Sequence, residues 1–571
     1  MVIGFVLTLF AGRLIQIQGM EGSAYKALAE QERLKPVTVP ALRGSITGSN
    51  GQILAMTLEK YTIVADPEQI ADKPAAAREL AGPLGLSATK ILGLLDHPVG
   101  TEYQPLASGV SAANEAKIAG MTGITANPVY SRVYPDGDAT ANVVGFTSQN
   151  SAGEITGEQG IEEADNKLLA GTAGSQEYET GLDGQEIPGT EMKATQAVDG
   201  DSIRLTINPA LQFQAEQACQ QRVQQLHARN CTVVIMQPQT GDILAMAQWP
   251  TYSQSDVTSI AQTTDIPIEN VFQPGSTAKV ISASAAFEHG GQTPLSAYSI
   301  PCSGYIVEGG QEIHDAEDDA CSHYTIAGII AHSSNIGMSQ VVTHISAQTQ
   351  YDYLRNFGLD QPTGLNLPGE SDGILPRPGS ADYYGDTKYT LSYGQGVAVN
   401  AVQMASVYAT IANGGVRVQP RLIEGTTSPS GKYTSAAASP SKRVIQAKTA
   451  KRLISILQQV PPLDASADGD AGILNGYAVA GKTGTSNETG PECPASNQEC
   501  EYGSSFIGMA PGNNPQVVVS VNVQDPEQNL AFFGDEVAGP VLNTVMKDTL
   551  ADLQIPPQAG LEPPNVRLNA P

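Results

Sequence analysis

The sequence predicts an α+β, multidomain protein, and three observations carry that expectation. At 571 residues the chain is too long for one ordinary domain. Its first third mixes short Ala-rich helices, as around residues 75–81, with Gly-rich connections. From Asp199-Gly200-Asp201 onward the order becomes strands, then a long helical middle, then strands again. That order closes an antiparallel sheet from both ends of a domain and packs helices on it. Hydrophobic residues make up 41% of the chain, ample for packed cores and too many for a disordered protein. A net charge of −27, from 31 basic and 58 acidic residues, argues against a nucleic-acid binder, whose ligand demands a basic footprint. The acidity describes a soluble, self-repelling surface.

Taken in order, the chain opens on an apolar run, Met1 to Gly12, that meets Arg13. Residues 1–17 are assigned as a partial membrane anchor. A dozen apolar residues fall short of the ~20 that cross a hydrocarbon core, so three readings stay open. The run is the outer part of an anchor that starts before Met1, a signal-peptide core without a basic n-region or small-x-small cleavage site, or a buried helix. An anchor would place everything downstream outside the cytoplasm. Residues 20–34 read as a polar helix. Arg43-Gly44-Ser45-Ile46 followed by Asn50-Gly51-Gln52-Ile53-Leu54-Ala55 reads as a hairpin about an Asn-Gly turn. Residues 18–200 carry no catalytic constellation and form an N-terminal pedestal, structural or partner-binding.

The remaining domain is assigned to residues 201–555. It starts with a strand over 202–207 and a helix from Pro209 to about Ala228, with proline at its first turn. Strands over 232–236 and 243–247 flank the turn Pro238-Gln239-Thr240-Gly241-Asp242. Helices dominate from about Ser276 to about Gln459, and strands return over 477–480, 504–509 and 517–523. Residues 556–571 form a Pro-rich, extended tail. Six cysteines, Cys219, Cys231, Cys302, Cys321, Cys493 and Cys500, fit an oxidising compartment and allow fifteen pairings. Short loops cost least to close, which favours nearest neighbours; Cys493 with Cys500, in a polar loop, is the foremost pair. No Cys-x-x-Cys occurs, and His314 and His323 flank a single cysteine, Cys321, so no metal site is expected.

Three short motifs carry the chemistry. In Ser276-Thr277-Ala278-Lys279, an apolar-small run from Val280 to Phe287 follows and Gly290-Gly291 closes it, which puts Ser276 in the first turn of a helix. Lys279, three residues on, shares its face. A serine hydroxyl needs a base, and a lysine serves when burial and nearby positive charge favour its neutral form. The helix N-terminus adds positive potential for a developing alkoxide. In Ser333-Ser334-Asn335, Ser333 can relay a proton between Lys279, Ser276 and a leaving amine, and Asn335 can hold a substrate amide through its donor and acceptor. In Lys482-Thr483-Gly484-Thr485, Lys482 with the hydroxyls of Thr483 and Thr485 suits a substrate carboxylate, and Gly484 lets a backbone approach closely. The backbone N–H groups of Ser276 and Thr485 are candidates for an oxyanion hole. Alone, each motif reads better as a cap with a solvated lysine, a loop of capping residues or a strand end than as a site; the trio in order points to one acyl-transfer site. His314, Asp315 and His323 either line a loop near the site or, the preferred reading, are solvated loop residues.

These motifs are the Ser-x-x-Lys, Ser-x-Asn and Lys-Thr-Gly set of enzymes acylated by penicillin, and the chain resembles class B penicillin-binding proteins, similar to the septal members of actinobacteria. Arg43–Ala55, Arg132-Val133-Tyr134-Pro135, Val144-Gly145-Phe146 and Gly160-Ile161-Glu162 carry the resemblance in the first half. Thr240 to Met246, Pro274-Gly275-Ser276, Leu367-Pro368-Gly369-Glu370, Gly394-Gln395-Gly396 and Ile411 to Gly415 carry it in the second. Two departures stand out: Gly48-Ser49 where the family carries Asp-Arg, and Asn400 where threonine is common. The resemblance implies a serine penicillin-recognising, β-lactamase/transpeptidase-like domain above a dimerisation-like pedestal. It implies a peptidoglycan D,D-transpeptidase in which Ser276 attacks a stem peptide ending in D-Ala-D-Ala, D-Ala leaves, and a neighbouring amine resolves the acyl-enzyme. No cofactor or metal is implied; β-lactams, lipid-linked precursor, the plasma membrane, a glycan polymerase and other division proteins are the implied partners. A β-lactamase, a D,D-carboxypeptidase, and a catalytically weak β-lactam-binding scaffold of the division machinery are the alternatives.

Overall fold

The first helix, α1 (Val2–Ile15), has no buried residue, so the reading as a buried helix falls. Arg13 does not end it: the guanidinium donates to Gln16 Oε1 at 2.8 Å, and a π-helical turn, Gln16–Met20, continues the axis. The stretch Val2–Gly19 is long and apolar enough to cross a membrane by length and composition. The structure, a computed structural model, describes all residues except 1, 24, 27–33, 100–102, 151–152, 180–192, 259–262, 317–319, 465–471, 489–500, 528 and 559–561. The polar helix expected over 20–34 lies largely outside the described residues, and Leu34 already begins strand β1 (Leu34–Val39).

In the N-terminal half, β2 (Ile46–Thr47) pairs antiparallel with β3 (Ile53–Ala65) across the Asn-Gly turn, as expected. Gly51 takes φ +84° there, a conformation that favours glycine. β3 also pairs with β4 (Gln104–Ser111) and β5 (Ile124–Val133). Two helices, α2 (Lys73–Leu84) and α3 (Ala88–Asp96), back this sheet and bury Ile63, Leu80, Ile91 and Leu95. Asp72 caps α2 by accepting from Ala75 N at 2.9 Å, and Gly85 ends it in the left-handed conformation.

No loose linker joins the halves. β6 (Ser202–Leu205) pairs parallel with β2 and antiparallel with Ile423–Thr427 of the second half, so one sheet spans both. It is shorter than the strand expected over 202–207 because the pairing shifts at Arg204/Leu205. Gly44 and Gly200 sit where a Cβ would meet Asp201 O at 2.0 Å and Leu169 O at 1.7 Å. Gly48, one departure from the family pattern, also has a local reason: its Cβ would lie 2.5 Å from the Pro209 ring.

The second half is built on a five-stranded antiparallel sheet. Its chain-order strands are β7 (Asn230–Met236), β8 (Ile243–Trp249), β9 (Ala480–Glu488), β10 (Glu501–Ala510) and β11 (Val517–Gln524), and the spatial order is β8-β7-β11-β10-β9. Both ends of the domain thus contribute, as the sequence order predicts. Helices Pro209–Leu226 and Gly534–Asp552 cover one face through Val233, Ile235, Val519 and Leu542. The other face packs Val234, Met236 and Val518 against the helical middle, where Met404, Val407 and Tyr408 of helix Ala401–Ala412 are buried. Asn400, the second departure, caps that helix: its Oδ1 accepts from Gln403 N at 2.8 Å while Gln403 Oε1 accepts from Asn400 N at 3.0 Å. Threonine and asparagine are both capping residues, so the exchange keeps the function of the position.

The strand expected over 477–480 is displaced. Pairing starts at Ala480 opposite Met509 and runs to Glu488, so Lys482-Thr483-Gly484-Thr485 lies inside the strand and not after it. Its Gly, Lys, Asn and Glu residues have poor strand propensity, and pairing with β10 carries the extended form across them. Among the described residues two disulfides join nearest-neighbour cysteines: Cys219–Cys231 ties helix Pro209–Leu226 to β7, and Cys302–Cys321 closes a surface loop. The expected Cys493–Cys500 pair lies outside the described residues.

Candidate active site

Ser276 sits in a short 3-10 turn, Gly275–Ala278, that feeds the helix Lys279–His289. The turn is held from several sides. Gly275 N donates to Gly394 O at 3.0 Å, and a Cβ on Gly394 would meet Gly275 O at 2.0 Å, so the Gly394-Gln395-Gly396 landmark is a backbone bed for the serine turn. Tyr408, wholly buried, donates its hydroxyl to Thr277 O at 2.9 Å. Thr277 Oγ1 donates to Pro274 O at 2.6 Å.

Lys279 is fully buried, and its Nζ reaches both the serine of its own motif and the Ser-x-Asn motif. It donates to Ser276 Oγ at 2.9 Å, Asn335 Oδ1 at 2.8 Å and Ser333 Oγ at 3.3 Å, and also to Ser333 O. Ser333 presents its carbonyl and hydroxyl to one ammonium because its backbone is left-handed, at φ +62°. A non-glycine residue there stores strain, and such residues cluster at functional sites. Asn335 begins the helix Asn335–Val342 and donates its Nδ2 to His314 O at 3.0 Å. Its amide therefore bonds Lys279 and His314, which leaves one hydrogen on Nδ2 and one lone pair on Oδ1 for a substrate.

Among the described residues β9 is the edge strand of the catalytic sheet, so one row of its N–H and C=O groups has no strand neighbour there. That row passes the serine turn: a Cβ on Gly275 would lie 2.9 Å from Thr485 O, and one on Gly484 would lie 2.8 Å from Pro274 O. Gly484 is thus needed for the close approach of strand to turn. Ser486 Oγ donates to Gln273 O at 2.7 Å and fastens the strand beyond it. Lys482 is fully buried and donates to Thr483 Oγ1 at 3.2 Å; Thr483 donates on to Asp464 Oδ2 at 2.8 Å. Thr485 Oγ1 accepts from Gly534 N at 3.1 Å. The structure thus gathers Ser276, Lys279, Ser333 and Asn335 into one hydrogen-bonded cluster and lays the Lys482–Thr485 strand alongside.

Sequence reading missed several supports. Asp315, expected as a solvated loop residue, is half-buried and supplements the cap that Ser334 gives the Ser-x-Asn helix: its carboxylate accepts from Ser334 Oγ at 2.7 Å, Ile336 N at 2.9 Å and Asn335 N. Only the folding of the Cys302–Cys321 loop brings it there, by way of a hairpin of Tyr305–Glu308 with Gln311–His314. His314 and His323 keep exposed side chains, and His323 Nδ1 bonds Ser299 Oγ at 2.8 Å. Asp464 was not singled out, nor was Asp535, whose carboxyl burial pushes up and the Asp464 charge raises further. The tail is extended, as expected, but docked. Thr325 Oγ1 donates to Arg567 O at 2.8 Å and Leu568 O at 2.9 Å, and Thr325 N donates to Leu568 O at 2.8 Å. A Cβ on Gly328 would lie 2.2 Å from Leu568 O. Thr325 caps the helix Ile326–Ala331 that leads into Ser333, so the chain's last residues buttress the motif from behind.

Family models match the two halves: residues 231–547 match the penicillin binding protein transpeptidase domain, and 38–205 the penicillin-binding protein dimerisation domain. The chain is 32% identical to the penicillin-binding protein PbpB of Mycobacterium tuberculosis, over 95% of this chain and 83% of that protein. It is 26% identical to the peptidoglycan D,D-transpeptidase FtsI of Escherichia coli K12, over 97% of this chain and 91% of that one. The crystal structure of penicillin binding protein 3 of M. tuberculosis complexed with aztreonam superposes with a TM-score of 0.69 at 28% identity, covering 94% of this chain and all of that one.

Proposed function

The chain belongs to the penicillin-binding protein transpeptidase family, and from that premise we propose that it cross-links peptidoglycan stem peptides at division through an acyl-enzyme on Ser276. The observation that carries this reading is the buried Lys279 ammonium nitrogen, 2.9 Å from Ser276 Oγ. Taking an ammonium out of water favours the neutral amine, which is the form that accepts a proton.

Neutral Lys279 accepts the Ser276 proton as Oγ attacks the carbonyl of the penultimate D-Ala. The backbone N–H groups of Ser276 and Thr485 receive the oxyanion. Collapse breaks the C–N bond, and the departing D-Ala nitrogen takes a proton from Lys279 by way of Ser333 Oγ. A stem-peptide amine then attacks the ester, passing its proton back along the same path to Ser276 Oγ. Asn335 steadies the substrate amide, and Lys482 with Thr483 faces the terminal carboxylate. A β-lactam follows the first half of this course and stalls as the ester. No cofactor enters this course. Helix α1 anchors the chain in the plasma membrane with the catalytic half on the outer side, where a glycan polymerase and other division proteins would supply strands.

Fluorescent-penicillin labelling of the protein beside Ser276→Ala tests the assignment. A stable adduct that the variant does not form is the expected result. An adduct that clears within minutes would mean a hydrolase, and a folded protein that never labels would mean a scaffold.

A further inference from the structure

A cavity of about 900 Å³ opens on the sheet face opposite helices Pro209–Leu226 and Gly534–Asp552, walled by Asn270, Val271 and Phe272 on the way to Ser276. Its floor is unusual for its place. Along β7, Asn230 and Thr232 point the same way as the core residues Val234 and Met236; along β11, Asn522 and Gln524 point with Val518. The same face thus changes from apolar to polar at one end, while all of these side chains stay buried. Burying amides costs free energy unless each polar atom finds a partner. Here two do not: among the described residues, Asn230 Oδ1 and Asn522 Nδ2 have no hydrogen-bond partner, with their residues 5% and 3% exposed. Gln524 Nε2 donates to Asn522 Oδ1, which fixes the Asn522 amide with its Nδ2 left over. The register sets Asn230 opposite Gln524 and Thr232 opposite Asn522, so the orphan acceptor and orphan donor are diagonal neighbours on adjacent strands.

We propose that this cavity is a second ligand site, for a neutral molecule bearing a secondary amide. Its N–H donates to Asn230 Oδ1 and its carbonyl accepts from Asn522 Nδ2, with the rings of Tyr252 and Phe272 at the wall to cover a flat face. Asp256 and Glu269 in the lining disfavour an anion, and Arg229 disfavours a cation. The volume lies in the range of small-molecule sites, roughly 300–1,000 Å³. An N-acetylated sugar and a peptide share this chemistry. The inference stands apart from the acyl-transfer assignment, because no residue of the floor takes part in that reaction.

The test titrates the full chain in detergent with an N-acetylglucosamine trimer and, separately, with acetyl-alanyl-alanine amide, before and after penicillin treatment. Mass spectrometry of the same sample reads the acyl adduct, so failure of the Ser276 assignment is seen independently. Saturable binding of either probe that persists in the adduct is expected, and the probe that binds names the source. Asn522→Leu removes one hydrogen bond and should weaken binding about tenfold; Ser253→Trp should close the cavity mouth with an equal or larger loss. Absence of binding by both probes overturns the proposal, as does binding displaced by the acyl group. Binding untouched by Ser253→Trp overturns the site, and binding untouched by Asn522→Leu overturns the amide pairing.

Discussion

Two carboxylates organise the two halves of this molecule, and they do so under opposite conditions. Glu162 is wholly buried in the N-terminal half and accepts from two guanidinium groups, Arg43 Nε at 2.6 Å and Arg132 Nε at 2.7 Å. Asp315 is half-buried in the catalytic half and accepts from a hydroxyl and two backbone N–H groups at a helix start. Glu162 unites the landmarks Arg43-Gly44, Arg132 and Gly160-Ile161-Glu162, which lie far apart in the chain. Arg132 adds bonds to Gly44 O at 2.8 Å and Thr57 Oγ1 at 3.1 Å. The lesson is one of division of labour: a buried charge cluster fixes how segments meet, whereas a shallow cap fixes the aim of one short motif.

Removing Glu162 should have the largest effect. Glu162→Ala leaves two buried cations without their carboxylate, a loss of about 3–5 kcal/mol. Hydrogen exchange of strands β3 and β5 should accelerate accordingly, while penicillin labelling per folded molecule should hold. Lost labelling with unchanged exchange would reverse the roles given to the two carboxylates.

Asp315→Ala should do the converse. It removes the carboxylate that holds Ser334 and the first N–H groups of the Ser-x-Asn helix, at a local cost of about 1–2 kcal/mol; misplacing Ser333 should slow acylation roughly tenfold with little change in β3 exchange. Asp315→Asn, which keeps an acceptor, should recover part of the rate. Equal rates for both variants and the parent would mean that Ser333 is aimed without the cap.

Deletion of residues 564–571 probes the same motif from its other side. Loss of the Thr325 bonds to Arg567 O and Leu568 O should slow acylation several-fold, on the order of 1 kcal/mol. A synthetic peptide of those residues should restore the rate; a truncated protein that labels normally would show the tail to be mere covering.

A third carboxylate gives the smallest effect. Burial, helped by the Asp138 charge, raises the Glu216 carboxyl to about 7. A carboxyl raised in the folded state holds its proton more tightly there than when unfolded, so stability is full below about pH 4.5, falls as pH rises toward 7 and is flat above. Glu216→Gln should flatten that slope and gain on the order of 1 kcal/mol at pH 8. Thermal unfolding between pH 5 and pH 8 reads it, and parallel curves for parent and variant would remove Glu216 from the account.

Much of the site was legible in the chain because its chemistry is local. Ser276 and Lys279 are three residues apart on a helix start, and Lys482, Thr483, Gly484 and Thr485 are contiguous, so each motif is visible in the chain and the ordered trio proposes their roles. The order of strands and helices announced a sheet closed by both ends of the second half, because period and turn residues are carried by neighbours in sequence. What the sequence could not announce is anything that depends on distant segments meeting. Asp315, Asp464, the docked tail and the Glu162 cluster are ordinary polar residues until the fold brings their partners within 3 Å or so. The extended form of Ala480–Glu488 belongs with them: weak strand formers become a strand because β10 pairs with them. Chemistry that spans one helical turn or one strand was therefore written in the sequence itself. The alignment of those pieces, and the burial that gives Lys279 its setting, was decided by tertiary packing alone, since burial and partnership are properties of the assembled chain.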